Sequence, residues 1–283
     1  MSKSVSFIAI AAAMLVASPA FSAPVLSSSA NAASVNLSVG NVVAANVALA
    51  PVSGTAAPDY NNNAALASIN QSTHLFGSLL SVNAGVNTGI VTTSAQSSYP
   101  GSATGTANIV NARAGIYTSL LGAIPLAALG LSADAITSTT VAGINGSGLF
   151  ASGSSSIANL VIAGSIFDGL GLNLGVFSNP LPNTVGLSIL GLNIKFNEQL
   201  LSQTSDSIFM TTNAINITLD DYLFNGRLLS GNIILGHSQA SVTGYVPAAV
   251  AVPEPATWAL MIGGFGLVGF SLRTRTRARP VLA

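Results

Sequence analysis

The chain has 283 residues, only 8 Lys+Arg and 8 Asp+Glu, a formal net charge of zero and no cysteine. Nucleic-acid binding through a basic patch, a disulfide scaffold and a thiolate zinc site are excluded by that inventory. Ser, Thr, Asn and Gly must keep such a chain in solution; their neutral groups bind water yet repel neighbours weakly, so the surface tolerates close packing against other chains or a neutral polymer.

Residues 1–22 read as a secretory signal peptide. Lys3 supplies the positive start, Phe7 to Ala17 the short apolar run, and small residues follow. Ala20 and Ser22 suit the small-residue positions of a signal peptidase site, with Ala23 as the new N-terminus. A cut one residue later would place Pro24 directly after the scissile bond.

Residues 23–250 form the expected extracytoplasmic domain, whose three cations (Arg113, Lys195, Arg227) face seven carboxylates for a net charge of −4. Apolar side chains recur there with period two, the mark of half-buried strands. Val35, Leu37 and Val39 open the series. Leu170, Leu172, Leu174 and Val176 continue it, then Leu192, Ile194 and Phe196, then Ile215, Ile217 and Leu219. The stretch Ile116 to Leu131 resists this pattern and leaves open a short helix or a buried loop around Pro125. Near Ile189 and Leu190 the apolar parity passes from odd positions (Val185, Leu187, Ile189) to even ones, which predicts a bulge or a bend. Asn225-Gly226, between YLF and RLL, predicts a two-residue hairpin, because a type I′ turn needs positive φ at both positions. LGLN occurs in both 169–177 and 189–196, too few copies for a solenoid. No charge run or Pro-rich linker divides the stretch. The predicted fold is therefore all-β: a single antiparallel, sandwich-like domain flanked by the signal peptide and a C-terminal hydrophobic helix.

Candidate chemistry in this domain is sparse. Gly236-His237-Ser238-Gln239-Ala240 follows a strand-like segment and resembles the nucleophile elbow of α/β-hydrolases, in which small residues let the backbone turn sharply and expose the serine. That fold needs a helix after the serine and a later acid and histidine, whereas SVTGYV follows here and no histidine lies beyond His237. A serine hydrolase using Ser238 is accordingly the alternative, not the expectation. His74 and His237 are the only histidines, too few for a zinc site without acids from unrelated loops. Asp220-Asp221 lacks the spacing of a calcium loop and reads as a solvated turn. The domain has no Trp to stack on a sugar, although Asn and Asp could still hydrogen-bond one. We expect no enzymatic activity, no cofactor and no bound metal.

Residues 251–283 form the tail. Ala256 to Leu272 is uncharged and, as a helix, reaches about 25 Å, slightly short of a typical hydrocarbon core. Arg273, Arg275, Arg277 and Arg279 follow it and by the positive-inside bias hold the C-terminus in the cytoplasm. Glycines at 263, 264, 266 and 269 make a thin, easily unwound helix, and Pro253 and Pro255 around Glu254 force an extended backbone that an enzyme can grip.

The string Pro253-Glu254-Pro255-Ala256-Thr257-Trp258-Ala259, followed by MIGGFGLVGFSL and the arginines, resembles the PEP-CTERM sorting signal in its PEPxxWA variant. That resemblance implies export from a Gram-negative cell, recognition of Pro253, Glu254, Pro255, Trp258 and Ala259 by a membrane exosortase, transient residence in the inner membrane, and an exopolysaccharide or biofilm setting. The order of VGLSILGLNIKFNEQ, TTNAINITL and SGNIILGHSQASV is similar to the choice-of-anchor P exported family, with Asn197-Glu198-Gln199 and Asn213-Ala214 carrying most of the likeness. The resulting expectation is a structural or interaction protein of the cell surface or exopolysaccharide matrix. Its partners would be signal peptidase, exosortase, the membrane and exopolysaccharide, with no nucleic acid; the second alternative is a carbohydrate-binding adhesin that keeps its membrane helix.

Overall fold

A computed structural model describes residues 23–40, 42–75, 80–120, 124–163, 177–224, 227–247 and 255–275. The expected signal peptide, the expected strand over 170–176 and the expected Asn225-Gly226 turn lie outside the described residues. The chain divides into two compact units between Tyr245 and Val246. The first is built of β-strands and the second contains one helix.

The chain begins with β1 (Val25–Val39), β2 (Val42–Leu49) and β3 (Val52–Ala56) in a first sheet. It then crosses to a second sheet for β4 (Asn61–Leu66), β5 (Ile69–Leu75), β6 (Leu80–Thr88), β7 (Val91–Ser98), β8 (Ser102–Leu120), β9 (Ile124–Asn145), β10 (Gly148–Ala158) and β11 (Val161–Ala163). It returns to the first sheet for β12 (Thr184–Ile189), β13 (Leu192–Gln203), β14 (Ile208–Phe224) and β15 (Arg227–Thr243). The first sheet runs β12-β13-β14-β15-β1-β2, with β3 also on β1; the second runs β10-β9-β8-β6-β5, with β11 on β9, β7 on β8 and β4 on β7. Every pairing is antiparallel, and β1, β14 and β15 face β8, β9 and β10 across the interior. The two sheets form the expected sandwich.

The open stretch from Ile116 to Leu131 is, among its described residues, neither helix nor buried loop. It is the end of β8 and the start of β9, paired through Gly115↔Gly130 and Ile116↔Leu129, with a register shift at Thr118/Ser119 beside Pro125. Proline cannot donate to a ladder, and a local irregularity is the usual way a strand accommodates one. The parity change at Ile189-Leu190 is a reversal of the chain: Ile189 pairs with Leu192 across a two-residue turn whose Leu190 is 95% exposed. A separate register shift sits at Val185/Leu187 on the same hairpin. β14 and β15 pair as far as Phe224↔Arg227, so two residues connect them.

Halfway along the long strands the side-chain alternation inverts. On β15 the buried residues are Leu229, Ile233 and Leu235 on one side of Gly236, then Ser238, Ala240 and Val242 on the other. Gly236 has φ +66, Asn197 on β13 has φ 49 and Asn111 on β8 has φ 53. The ladder skips one residue at each of these places: Asn213↔His237 is followed by Ile215↔Leu235, Glu198↔Asn213 is preceded by Phe196↔Ile215, and Val110↔Ala135 is followed by Ala112↔Ala133. A left-handed residue turns the next peptide so that two neighbours share a face, and Gly and Asn reach that conformation at least cost. A crease thus crosses each sheet.

The crease separates two kinds of interior. Below it lies a large apolar cluster that includes Val35, Leu37, Ile116, Leu131, Ile194, Phe196, Ile217 and Leu229. At the far end of the strands is a smaller one with Leu26, Ala103, Ala142, Ile208 and Val242. Between them the inward residues are small or hydroxylic, and Gly105 on β8 shows why: a Cβ added there would sit 2.4 Å from the backbone oxygen of Ser29 and 2.7 Å from that of Gln239. Glycine lets the backbones of facing sheets approach more closely than the roughly 10 Å of a sandwich filled by large side chains.

Candidate functional site

The tail forms one helix, α1 (Pro255–Arg275). Pro255 is its first residue, where a missing N–H costs nothing and a fixed φ favours the helical start. Arg273 and Arg275 fall in its last turn, where a cation meets the negative end of the helix dipole. Leu260, Ile262, Phe265, Leu267, Phe270 and Leu272 are all exposed, and they lie on every side of the helix. A Cβ added at Gly263, Gly264, Gly266 or Gly269 meets no atom within 4 Å. Among the described residues no helix is long and apolar enough to cross a membrane. Trp258 and Ala259 lie in the first turns of α1, whereas Pro253, Glu254, Arg277 and Arg279 lie outside the described residues, as do Ala20 and Ser22. Ala23 is exposed, two residues before β1.

In the body, the serine that resembles a nucleophile sits in the middle of β15, paired with Ala30 and Thr212 on either side. It is 0% exposed. Its hydroxyl lies 2.6 Å from Ser138 Oγ and 2.7 Å from Thr140 Oγ1, both on the opposing sheet. Ser138 Oγ donates to Thr212 O at 3.0 Å, and Thr140 Oγ1 to Ser238 O at 3.1 Å. These bonds tie the two sheets together where glycine and alanine leave no room for larger groups. His237 is the neighbouring residue on a strand and so faces the other way, away from Ser238. A buried serine and a histidine on opposite faces of one strand do not make the nucleophile and base of a hydrolase.

His237 belongs to a different arrangement, which the sequence did not reveal. In register across four strands, Asn31, His237, Asn213 and Glu198 form one row on the outer face of the first sheet. Glu198 is only 6% exposed and Asn213 only 3%. Glu198 Oε2 accepts from Asn213 Nδ2 at 2.9 Å and from Asn216 Nδ2 at 2.6 Å, and Oε1 lies 3.4 Å from Lys195 Nζ. A carboxylate only accepts, so Asn213 must turn its NH₂ toward Glu198 and its Oδ1 toward His237 Nδ1, 2.7 Å away. That oxygen accepts a hydrogen bond from the Nδ1–H of the ring. Burial pushes the His237 pKa below the ordinary imidazole value, opposed by the side chain of Gln239.

Asp220-Asp221 forms a bulge: Asp221 has φ 47 and lies at the register shift between Leu219 and Tyr222. Ser230 Oγ donates to Asp221 Oδ1 at 2.8 Å. Among the described residues no group of three or more His, Asp or Glu side chains could hold a metal ion. His74 lies on β5, in the other sheet from His237.

Compared with known families, residues 251–276 match the model of the PEP-CTERM protein-sorting motif. The tail is a PEP-CTERM sorting signal. The match spans Pro253 to Ala259, all of α1 and the first two of the four arginines. A PEP-CTERM tail marks a protein exported and recognised by an exosortase, with a cell-surface or extracellular destination. The match stops short of the β-sandwich, and no curated protein and no solved structure matches the chain.

Proposed function

We propose that this protein is a non-enzymatic structural or interaction component of the cell surface or exopolysaccharide matrix of a Gram-negative bacterium. Signal peptidase removes residues 1–22, the tail pauses in the inner membrane, and an exosortase processes it. The PEP-CTERM match over 251–276 carries this reading. Several features support it. Cleavage before Ala23 leaves β1 whole, since that strand begins at Val25. A helix that exposes apolar side chains all round needs an apolar environment, and an uncharged run slightly short of the bilayer suits a temporary plug better than a permanent span. The arginines after it set its direction. Against a catalytic role stands the burial of Ser238 in a hydroxyl network that joins the two sheets.

The test is to express the full chain in its native cell with Pro253, Glu254 and Pro255 all replaced by Ala, and to follow size and location on a blot of cell fractions. The reading expects an unprocessed precursor retained with the inner membrane. Mature size and surface location identical to those of the unaltered chain would overturn it.

A further inference from the structure

The outer face of the first sheet carries a groove along β1. Ser27, Ser29 and Asn31 alternate there on β1, about 6.8 Å apart as strand geometry dictates. Each is in register with a polar residue on β15: Ser27↔Ser241, Ser29↔Gln239 and Asn31↔His237. On the other side β3 places Thr55 opposite Ser27 and Ser53 opposite Ser29. Between these strands lies an open groove of about 490 Å³ bordered by Ser29, Asn31, Ser53, His237 and Gln239. A second hollow of about 230 Å³ shares Ser29, Ser53 and Gln239 with it and extends it toward Ser27 and Thr55. The two adjoin through those three residues and are taken together as one channel over β3, β1 and β15.

The lining selects against most ligand classes. Among the described residues no Asp, Glu, Lys or Arg borders either part of the channel, and burial favours the neutral imidazole of His237. A phosphate, a nucleic acid or an anionic polymer would find no counter-charge there. A lipid or apolar peptide would find Ala30, Pro51 and Val52 interspersed with hydroxyls and amides in place of the largely apolar lining it needs. What the channel offers is a set of neutral donors and acceptors about 4.8 Å apart across the strands and about 6.8 Å apart along them. Ser29 Oγ already bonds Gln239 Oε1 at 3.3 Å, which orients the Gln239 amide with its NH₂ group uncommitted to that serine. On the His237 side, the bonds from Glu198 through Asn213 hold the ring by Nδ1, and Gln239 hydrogen-bonds the same ring, so the imidazole and the amide are held together at the groove.

We propose that this channel binds a neutral saccharide chain, with Ser29, Asn31, Ser53, Gln239 and His237 bonding successive hydroxyls and with Glu198 and Asn213 acting as positioning residues that set the tautomer of His237. Without an aromatic platform each sugar contributes little, so affinity accumulates over several units of a polymer. The proposal concerns the body alone and does not depend on how the tail is processed.

The test is affinity electrophoresis of the full chain in neutral detergent through gels containing dextran, mannan, galactan or alginate. We expect retardation by at least one of the three neutral polymers. Asn31→Ala combined with Gln239→Ala should reduce it at least tenfold, and Ser53→Leu, at an exposed position where folding is not at stake, should do the same by filling the channel. Thr106→Ala, on the outer face of the other sheet, should leave it unchanged. Melting temperatures of the variants separate loss of binding from loss of fold. Retardation by none of the neutral polymers, retardation by alginate alone, or retardation undiminished in Ser53→Leu would overturn the proposal.

Discussion

Ser138 Oγ on β9 and Ser238 Oγ on β15 lie 2.6 Å apart in the interior, joining the two sheets of the sandwich by a side-chain hydrogen bond. Thr140 shares the same hydroxyl from 2.7 Å. A sandwich interior is ordinarily apolar, and this layer of hydroxyls separates the two apolar clusters. Ser238→Ala removes the hydroxyl whose one proton serves these two contacts and leaves Ser138 and Thr140 with their backbone acceptors alone. We expect it to lower stability by about 1–3 kcal/mol, read as the shift of a urea unfolding midpoint. A serine-directed fluorophosphonate should fail to label Ser238 in the folded chain; labelling there would mean that the hydroxyl is reachable and the network misassigned.

Gly105 and Gly263 should respond oppositely to alanine. At Gly105 the new methyl meets the backbone of β1 and β15, and the sheets must separate, at a cost of about 1–3 kcal/mol for an overpacked interior. At Gly263 the methyl meets nothing, and α1 gains about 1 kcal/mol of helix propensity. Calorimetry of the two full-chain variants should therefore show a lower melting temperature of the body for Gly105→Ala and an unchanged one for Gly263→Ala.

Glu198 and Lys195 form an ion pair that should matter less than it looks. The Lys195 side chain is 40% exposed, so Lys195→Met should cost less than about 1 kcal/mol. Glu198→Ala instead strips the acceptor from two buried amides, Asn213 and Asn216, and should cost about 3 kcal/mol or more. Equal midpoints for the two variants in urea would show that the amide bonds carry no weight.

His237 makes stability depend on pH in a stated direction. Because burial holds its pKa below the ordinary 6.5, the unfolded chain takes up a proton at a higher pH than the folded one. Its contribution is fully present above about 6.5, falls as the pH drops from there through the folded value, and levels off below it. Unfolding midpoints should decline between pH 7.5 and 5.5, and His237→Gln should flatten that slope.

Much of this fold was legible in the sequence, and the part that was not has a physical cause. Strands such as Leu192 to Phe196 and Ile215 to Leu219 announce themselves because large apolar side chains alternate with polar ones below the crease. Above it the inward residues of β8 and β9 are Ala103, Gly105 and Ala107, and Ser138, Thr140 and Ala142, which carry no apolar signal although they are buried. The crease itself depends on single residues in left-handed conformation, and Asn111, Asn197 and Gly236 look like ordinary polar or small positions in the sequence. The tail was readable because its signal is a linear string. The row from Asn31 to Glu198 was not, because its members come from four strands and meet only through register.

The central claim is that both ends of the chain are removed or altered on the way out of the cell, and intact mass spectrometry of the protein from its native host tests it most directly. The account predicts a mature species that begins at Ala23 and whose mass departs from that of residues 23–283 because the PEP-CTERM tail has been processed. A species with the full 28.2 kDa of the unprocessed chain, bearing Met1 and ending at Ala283, would contradict it.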